Sequence, residues 1–126
     1  MSPPKDAFRD HLSRSSEIKI TVTGRKSGQP ISVPIWFVFD KDKDQDEAKL
    51  FLLPVQGSDT QWYKNVLENP SMRINAGSAQ GEFRAVPITD AARVTNVVEK
   101  FREKYGAGDV KKYYSKLDVA VLAQQR

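Results

Sequence analysis

The sequence predicts a single α+β domain built mainly of antiparallel strands, on three observations. Short runs alternate β-branched apolar residues with charged or hydroxyl ones, as in Glu17-Ile18-Lys19-Ile20-Thr21-Val22-Thr23, which is the period of a half-buried strand. Two stretches, Thr60 to Glu68 and Asp90 to Tyr105, instead repeat apolar residues at helical spacing. The 126 residues suffice for one core and not two, and 39% hydrophobic with 29% charged residues is a globular composition. Residues 1–14 read as a polar N-terminal segment and 15–126 as the domain.

The first strand runs into Gly24-Arg25-Lys26-Ser27-Gly28-Gln29-Pro30, a turn because its two glycines are free to take positive φ and a proline closes it. Ile31 to Phe39 carries Ile31, Val33, Ile35, Trp36, Phe37, Val38 and Phe39, so it is expected to be the most deeply buried strand. Asp40 to Glu47 is too charged for a core and reads as an exposed hairpin loop. It lacks a correctly placed glycine and distal glutamate for a calcium loop, so no metal is assigned.

Leu50-Phe51-Leu52-Leu53 is a short buried strand ended by Pro54. Ser58 or Asp59 can cap the helix Thr60 to Glu68, which turns Trp62 and Val66, with Tyr63 and Leu67, toward the core until Asn69-Pro70 ends it. Ser71 to Asn75 and Gly81 to Ile88 form a hairpin across Ala76-Gly77-Ser78. Asp90 caps the second helix, with Val94, Val97, Val98, Phe101 and Tyr105 inward, Arg93, Lys100, Arg102 and Lys104 outward, and Gly106 as its stop. A polar helical turn over Asp109 to Ser115 precedes a last strand, Leu117 to Ala123. About six strands and two main helices in this order make an antiparallel barrel or sheet with helices on its rim.

Cysteine is absent, which excludes disulfides, thiolate metal sites and a thiol nucleophile and points to a reducing cytoplasm. The N-terminal residues lack the apolar run of a signal peptide, and no segment approaches the roughly 20 apolar residues that span a bilayer. The net charge of +4 is spread among acids along the chain, which argues against a nucleic-acid partner and suits a small anionic one. His11, the one histidine, has no triad or metal partners around it and reads as solvated. Asp42, Asp44 and Asp46 lack the apolar setting of an acid catalyst.

The octet Thr23-Gly24-Arg25-Lys26-Ser27-Gly28-Gln29-Pro30, the segment Pro34-Ile35-Trp36-Phe37 and the helix with Trp62-Tyr63-x-Asn65 before Asn69-Pro70 resemble the deazaflavin-dependent nitroreductase family over roughly Glu17 to Ile88. Phe101-Arg102-Glu103-Lys104-Tyr105-Gly106 and the closing strand are similar to a related group of short proteins of the FMN-binding, pyridoxamine phosphate oxidase-like split barrel. The resemblance implies a split antiparallel β-barrel that passes hydride from a deazaflavin coenzyme, or alternatively from FMN or FAD, to a small unsaturated or nitro acceptor.

It implies further that Arg25, Lys26, Ser27 and Gly28 meet the cofactor's phosphate, that Gln56 and Gly57 lie along its tail, and that Pro34 and Trp36 lie against its ring. Physics of the turn agrees, since glycines let backbone N–H groups face an anion and the two cations supply charge. Read alone, the same turn is better taken as an ordinary hairpin whose basic residues face water, and Trp36 as a core residue, since strand aromatics pack far more often than they wall a ligand. By the same likeness Tyr113 and Tyr114, with Tyr105, cover the substrate side of the ring, where a phenol donates a hydrogen bond as negative charge develops.

Three positions depart from the family pattern. Ile31 stands where its members carry arginine, and Val55 and Gln56 where they carry a small or hydroxyl residue and a lysine. The alternative is therefore a non-catalytic split-barrel protein that binds another small molecule or a partner. A homodimer is expected because the aromatic residues exceed what a small barrel hides, with a sheet edge at Ser71 to Ile88 as the pairing surface. The helix Asp90 to Tyr105 capping that surface in a monomer is the alternative.

Overall fold

A computed structural model describes residues 12, 16–40, 49–77 and 79–125. His11, most of the N-terminal segment, and the acidic loop with Asp42, Asp44 and Asp46 lie outside these residues. The elements are β1 (Ile18–Thr23), β2 (Pro30–Ile35), β3 (Phe37–Asp40), β4 (Lys49–Leu52), a 3-10 turn (Gly57–Asp59), α1 (Gln61–Glu68), β5 (Ser71–Ala76), β6 (Ala79–Ile88), α2 (Ala91–Tyr105), α3 (Ala107–Tyr113) and β7 (Ala120–Gln125).

Seven strands form one curled antiparallel sheet in the order β2-β1-β5-β6-β7-β4-β3. The fold is α+β, a split half-barrel with helices on it, as the sequence predicts. The predicted strand Ile31 to Phe39 is two strands, because the chain leaves the ladder at Trp36. β2 pairs with β1, from Thr23↔Pro30 to Ile18↔Ile35, and β3 pairs with β4. The expectation that this segment is the most buried is wrong for β2, where Ile31, Ser32 and Pro34 are exposed. β2 is an edge strand with one face in solvent, which is also where a strand tolerates two prolines without N–H donors.

The sheet edge expected at Ser71 to Ile88 is likewise corrected, since β5 and β6 are internal and each is paired on both sides. Leu67 is 54% exposed rather than turned to the core. One residue beyond buried Val66, it has rotated about 100° off the inward stripe of α1. The predicted polar turn is the helix α3, and the last strand starts at Ala120, not Leu117.

Alternation along β1, β5 and β6 aims Ile18, Ile20, Val22, Met72, Ile74 and Phe83 into the barrel, where Trp62, Tyr63 and Val66 of α1 close it. Burial of a side chain such as Phe37 or Phe83 contributes about 1.5–3 kcal/mol. A second core lies on the other face of β3, β4 and β7, where Val94, Val97, Val98 and Phe101 of α2 and Val110 of α3 pack with Val38, Phe51 and Leu122. The Asp90 carboxylate accepts from the Arg93 N–H at 3.0 Å, the predicted cap, and Gly106 at φ +95° ends α2.

One half of the sheet is thus covered on both faces and the other on one. On β1, β2 and β5 the outward residues Lys19, Thr21, Ser32, Pro34, Arg73 and Asn75 carry no helix; instead they line an open polar hollow of about 520 Å³.

Candidate functional site

Trp36 sits where β2 ends and β3 begins, at the junction of the two halves. Its indole lies flat on Tyr105, with centroids 4.3 Å apart and planes at 7°. Tyr113 meets it edge-on at 5.4 Å and Tyr114 at a tilt at 6.1 Å. Offset stacks and edge contacts of this kind add about 0.5–1.5 kcal/mol each to area burial.

Three polar contacts repair the break in the ladder. The Tyr105 hydroxyl accepts from the Phe37 N–H at 3.1 Å, and its single proton is shared between the carbonyls of Ser16 at 2.7 Å and Phe37 at 2.8 Å. The Lys104 ammonium donates to the same Phe37 carbonyl at 2.8 Å while lying 3.7 Å from the Phe37 ring centroid. Burial pushes the Tyr105 phenol up to about 12, opposed by its bond to Phe37 and aided by the Glu17 charge.

Pro34, Trp36, Leu53, Val55, Tyr113 and Tyr114, with the exposed Glu17, enclose a cavity of about 300 Å³. Tyr114 is 6% exposed, and burial raises its phenol well above the ordinary value, with Tyr105 adding a smaller effect. Its hydroxyl makes no hydrogen bond among the described residues. Tyr113 is half exposed and Val55 exposed, so the cavity opens to solvent past them.

The other site residues expected from the sequence fall into two separate places. In the basic turn, Gly24 N–H donates to the Gln29 carbonyl at 2.8 Å and Gly28 N–H to the Gly24 carbonyl at 2.9 Å. Arg25 donates to the Asn65 side-chain oxygen from its backbone N–H at 3.2 Å and from Nη1 at 2.8 Å, and its Nη2 donates to Gln61 Oε1 at 2.7 Å. Asn65 is the buried polar residue that Arg25 satisfies. Lys26, Ser27 and Gly28 are exposed, and Lys26 and Ser27 line a shallow hollow with Ile31 and Gln61. The β1–β2 hairpin puts this turn at its far end from Trp36, roughly 20 Å along the strands.

Gln56 and Gly57 lie nearer the cavity, but Gly57 is buried at φ +56°, and a Cβ there would collide with the Asp118 carboxylate. Asp118 accepts from Ser58 twice, from its N–H at 3.0 Å and its hydroxyl at 2.6 Å, and that hydroxyl bond chiefly holds the carboxyl below its usual range. Gln56 N–H donates to the Thr60 hydroxyl at 2.8 Å. The loop is therefore latched to the chain before β7. Ser115 N–H donates to the Val55 carbonyl at 2.9 Å, which holds Val55 in the cavity wall.

So Pro34, Trp36, Tyr113 and Tyr114 come together, while Arg25, Lys26, Ser27 and Gly28 lie elsewhere and Gln56 and Gly57 support the wall from behind. Glu17 is marked as a site residue by nothing local in the sequence, and Asn65, quoted there as part of the helix motif, carries no sign that it takes the donors of Arg25. Among the described residues no group of three or more His, Asp or Glu could hold a metal ion, and no helix is long and apolar enough to cross a membrane.

This curled sheet with its helices has the fold of the split-barrel proteins. The chain belongs to the family described as "Uncharacterized protein conserved in bacteria (DUF2255)", whose model matches residues 10–121. Comparison with curated proteins returns no match. Among solved structures it is similar to an F420-H2 dependent reductase (FDR-A), at 21% identity and TM-score 0.63, covering 86% of this chain and 93% of that one. It is also similar to a chain of a domain-swapped dimer, at 18% identity and TM-score 0.64, over 96% and 99% of the two chains. The heme storage protein HutZ from Vibrio cholerae matches at 11% identity and TM-score 0.65, over 98% and 90%. At these identities the likeness is one of fold.

Proposed function

We propose that this chain is an oxidoreductase that holds a planar ring of the deazaflavin or flavin kind in the Trp36–Tyr113–Tyr114 cavity and serves hydride transfer to a small unsaturated or nitro acceptor. The observation that carries this reading is the buried Tyr114 hydroxyl, which lacks a partner among the described residues and lines an apolar aromatic cavity. A buried phenol without a partner costs free energy that a ligand oxygen or nitrogen would return. The volume of about 300 Å³ is at the small end of ligand sites, enough for a ring but not for a whole cofactor.

A reduced deazaflavin or flavin, when bound, supplies the hydride. Trp36, pinned from behind by Tyr105, offers a wall that needs no reordering on binding. Tyr113 and Tyr114 stand at the same cavity as donors; a phenol is protonated at neutral pH and burial raises Tyr114 further, so it gives a hydrogen bond to developing negative charge rather than taking a proton. The fold likeness to a reductase supports the reading. We place the chain in the cytoplasm as a homodimer, supported by the absence of cysteine and the likeness to a chain of a domain-swapped dimer; sedimentation as a single species near 14.2 kDa would overturn the dimer.

Titration of purified protein with reduced deazaflavin coenzyme, FMN and FAD, followed by ligand fluorescence, tests the ring site. Binding of at least one at micromolar concentration is expected, and no binding of any at tens of micromolar overturns it. The engagement of Arg25 by Asn65 and Gln61 favours a second reading, a non-catalytic member that binds another small molecule. A protein that binds none of the three ring cofactors and transfers no hydride to any nitro or enone acceptor in their presence would favour that reading.

A further inference from the structure

The aromatic cavity does not end at its rim. Glu17 and Pro34 line both it and the polar hollow of about 520 Å³ on the outward face of the sheet, so the two spaces meet across these residues. The register orders that face. Pro34 lies beside Lys19 and Lys19 beside Asn75 in one cross-strand row; Ser32, Thr21 and Arg73 follow in the next. With strands about 4.8 Å apart and alternate residues about 6.6 Å apart along a strand, Lys19 is one strand from Pro34 and Arg73 roughly 12 Å from it.

Chemistry changes along this path in a definite sequence. The cavity is apolar and aromatic. At the shared wall Glu17 makes no ion pair among the described residues, and as an acceptor-only carboxylate it favours donors such as hydroxyls and repels anions. Beyond it, the Thr21 and Ser32 hydroxyls bond each other at 2.8 Å and can turn to a ligand. Lys19, in the same row as Pro34, has no ion-pair partner among the described residues, and Arg73, farthest out, gives Glu82 one bond at 3.0 Å, leaving guanidinium donors over.

We infer that the ligand's tail leaves the aromatic cavity over Pro34 and lies on the outward face of β1, β2 and β5, with its hydroxyls at Glu17, Thr21 and Ser32 and its anionic end at Lys19 and Arg73, not at the Arg25 turn. The inference rests on the ring site proposed above and names the rest of the ligand: a planar ring, a hydroxylated middle and a phosphate-like terminus. The turn is an unsuitable anchor on two counts. Its arginine is held against α1 through both Nη atoms by Asn65 and Gln61, and it lies at the far end of the hairpin from the ring.

Ligand pairs that differ only in the terminal phosphate test this: FMN against riboflavin, and 5-deaza-FMN against 5-deazariboflavin. The phosphorylated member is expected to bind about tenfold tighter, the worth of one charge-assisted hydrogen bond. K19Q and R73Q should erase most of that advantage and leave the phosphate-free member within about twofold, while R25Q should preserve the advantage. Raising salt on the unaltered protein should weaken only the phosphorylated member. Loss of the advantage in R25Q, its persistence in K19Q and R73Q, or equal binding of the two members would each overturn the tail's path while leaving the ring site standing. Failure of all four compounds to bind would overturn the ring site itself.

Discussion

Trp36 and Tyr105, 69 positions apart in the chain, stack face to face at 4.3 Å, and the same tyrosine's hydroxyl holds the backbone of the next residue, Phe37. One side chain thus mends the break between β2 and β3 and backs the wall of the candidate site. Tyr105→Phe keeps the stack and removes the hydroxyl, leaving the Phe37 N–H without its acceptor. A loss of about 1–2 kcal/mol in urea unfolding is expected, with ring affinity little changed. Tyr105→Ala removes the stack as well and should cost about 3–5 kcal/mol and weaken ring binding. Equal ring affinity in all three proteins would show that Tyr105 does not position Trp36.

The Tyr105 phenol also makes stability depend on alkaline pH. Its value in the folded chain is raised from 10.0 to about 12, so below pH 10 both folded and unfolded forms are protonated and the contribution is fully present. As pH rises from 10 toward 12 the unfolded chain loses this proton first, and stability falls. The melting temperature of the parent should drop more steeply across this window than that of Tyr105→Phe. Parallel curves would refute the assignment.

Tyr114 should behave in the opposite way from an ordinary buried tyrosine. Because its hydroxyl has no partner among the described residues, Tyr114→Phe is expected to leave stability unchanged or raise it by up to about 1 kcal/mol. Ring affinity or turnover should nevertheless fall by about tenfold, the worth of one hydrogen bond to a ligand. A stability loss with unchanged binding would place the hydroxyl in the fold rather than the site.

Arg25 and Asn65 form a clamp between the β1–β2 turn and α1, and removing either leaves the other's polar groups unmatched. Asn65→Ala should cost about 2–3 kcal/mol, and in a double-mutant cycle with Arg25→Gln the two losses should be far from additive. Additive losses in chemical denaturation would mean that the two side chains do not act together.

Gly57→Ala tests the latch behind Val55. Positive φ and the collision with Asp118 together predict a loss of at least about 1–3 kcal/mol, and Asp118→Ala should recover part of it by clearing space. No recovery in the double variant would assign the cost to backbone strain and to the remaining contact with Lys116.

Local pattern in the sequence by itself determined the α+β class, the inward alternation of β1, the two main helices and the Asp90 cap, because each follows from neighbours within a few residues. It also brought Pro34, Trp36, Tyr113 and Tyr114 forward, through their likeness to a family rather than any chemistry of spacing. Strand order is not a local property, and it decided the rest. With β2 at an edge, Ile31 to Ile35 has one face in water, although its composition reads as core, while β5 and β6 are enclosed. Arg25 looks free among its neighbours in sequence, yet folding delivers Asn65 from 40 positions away to take its donors, as a buried amide oxygen must be satisfied. Tertiary packing alone brought Tyr105 onto Trp36 and carried Glu17 and Pro34 to the seam between an aromatic cavity and a cationic face, since contacts between distant segments depend on which surfaces the sheet's curl leaves uncovered.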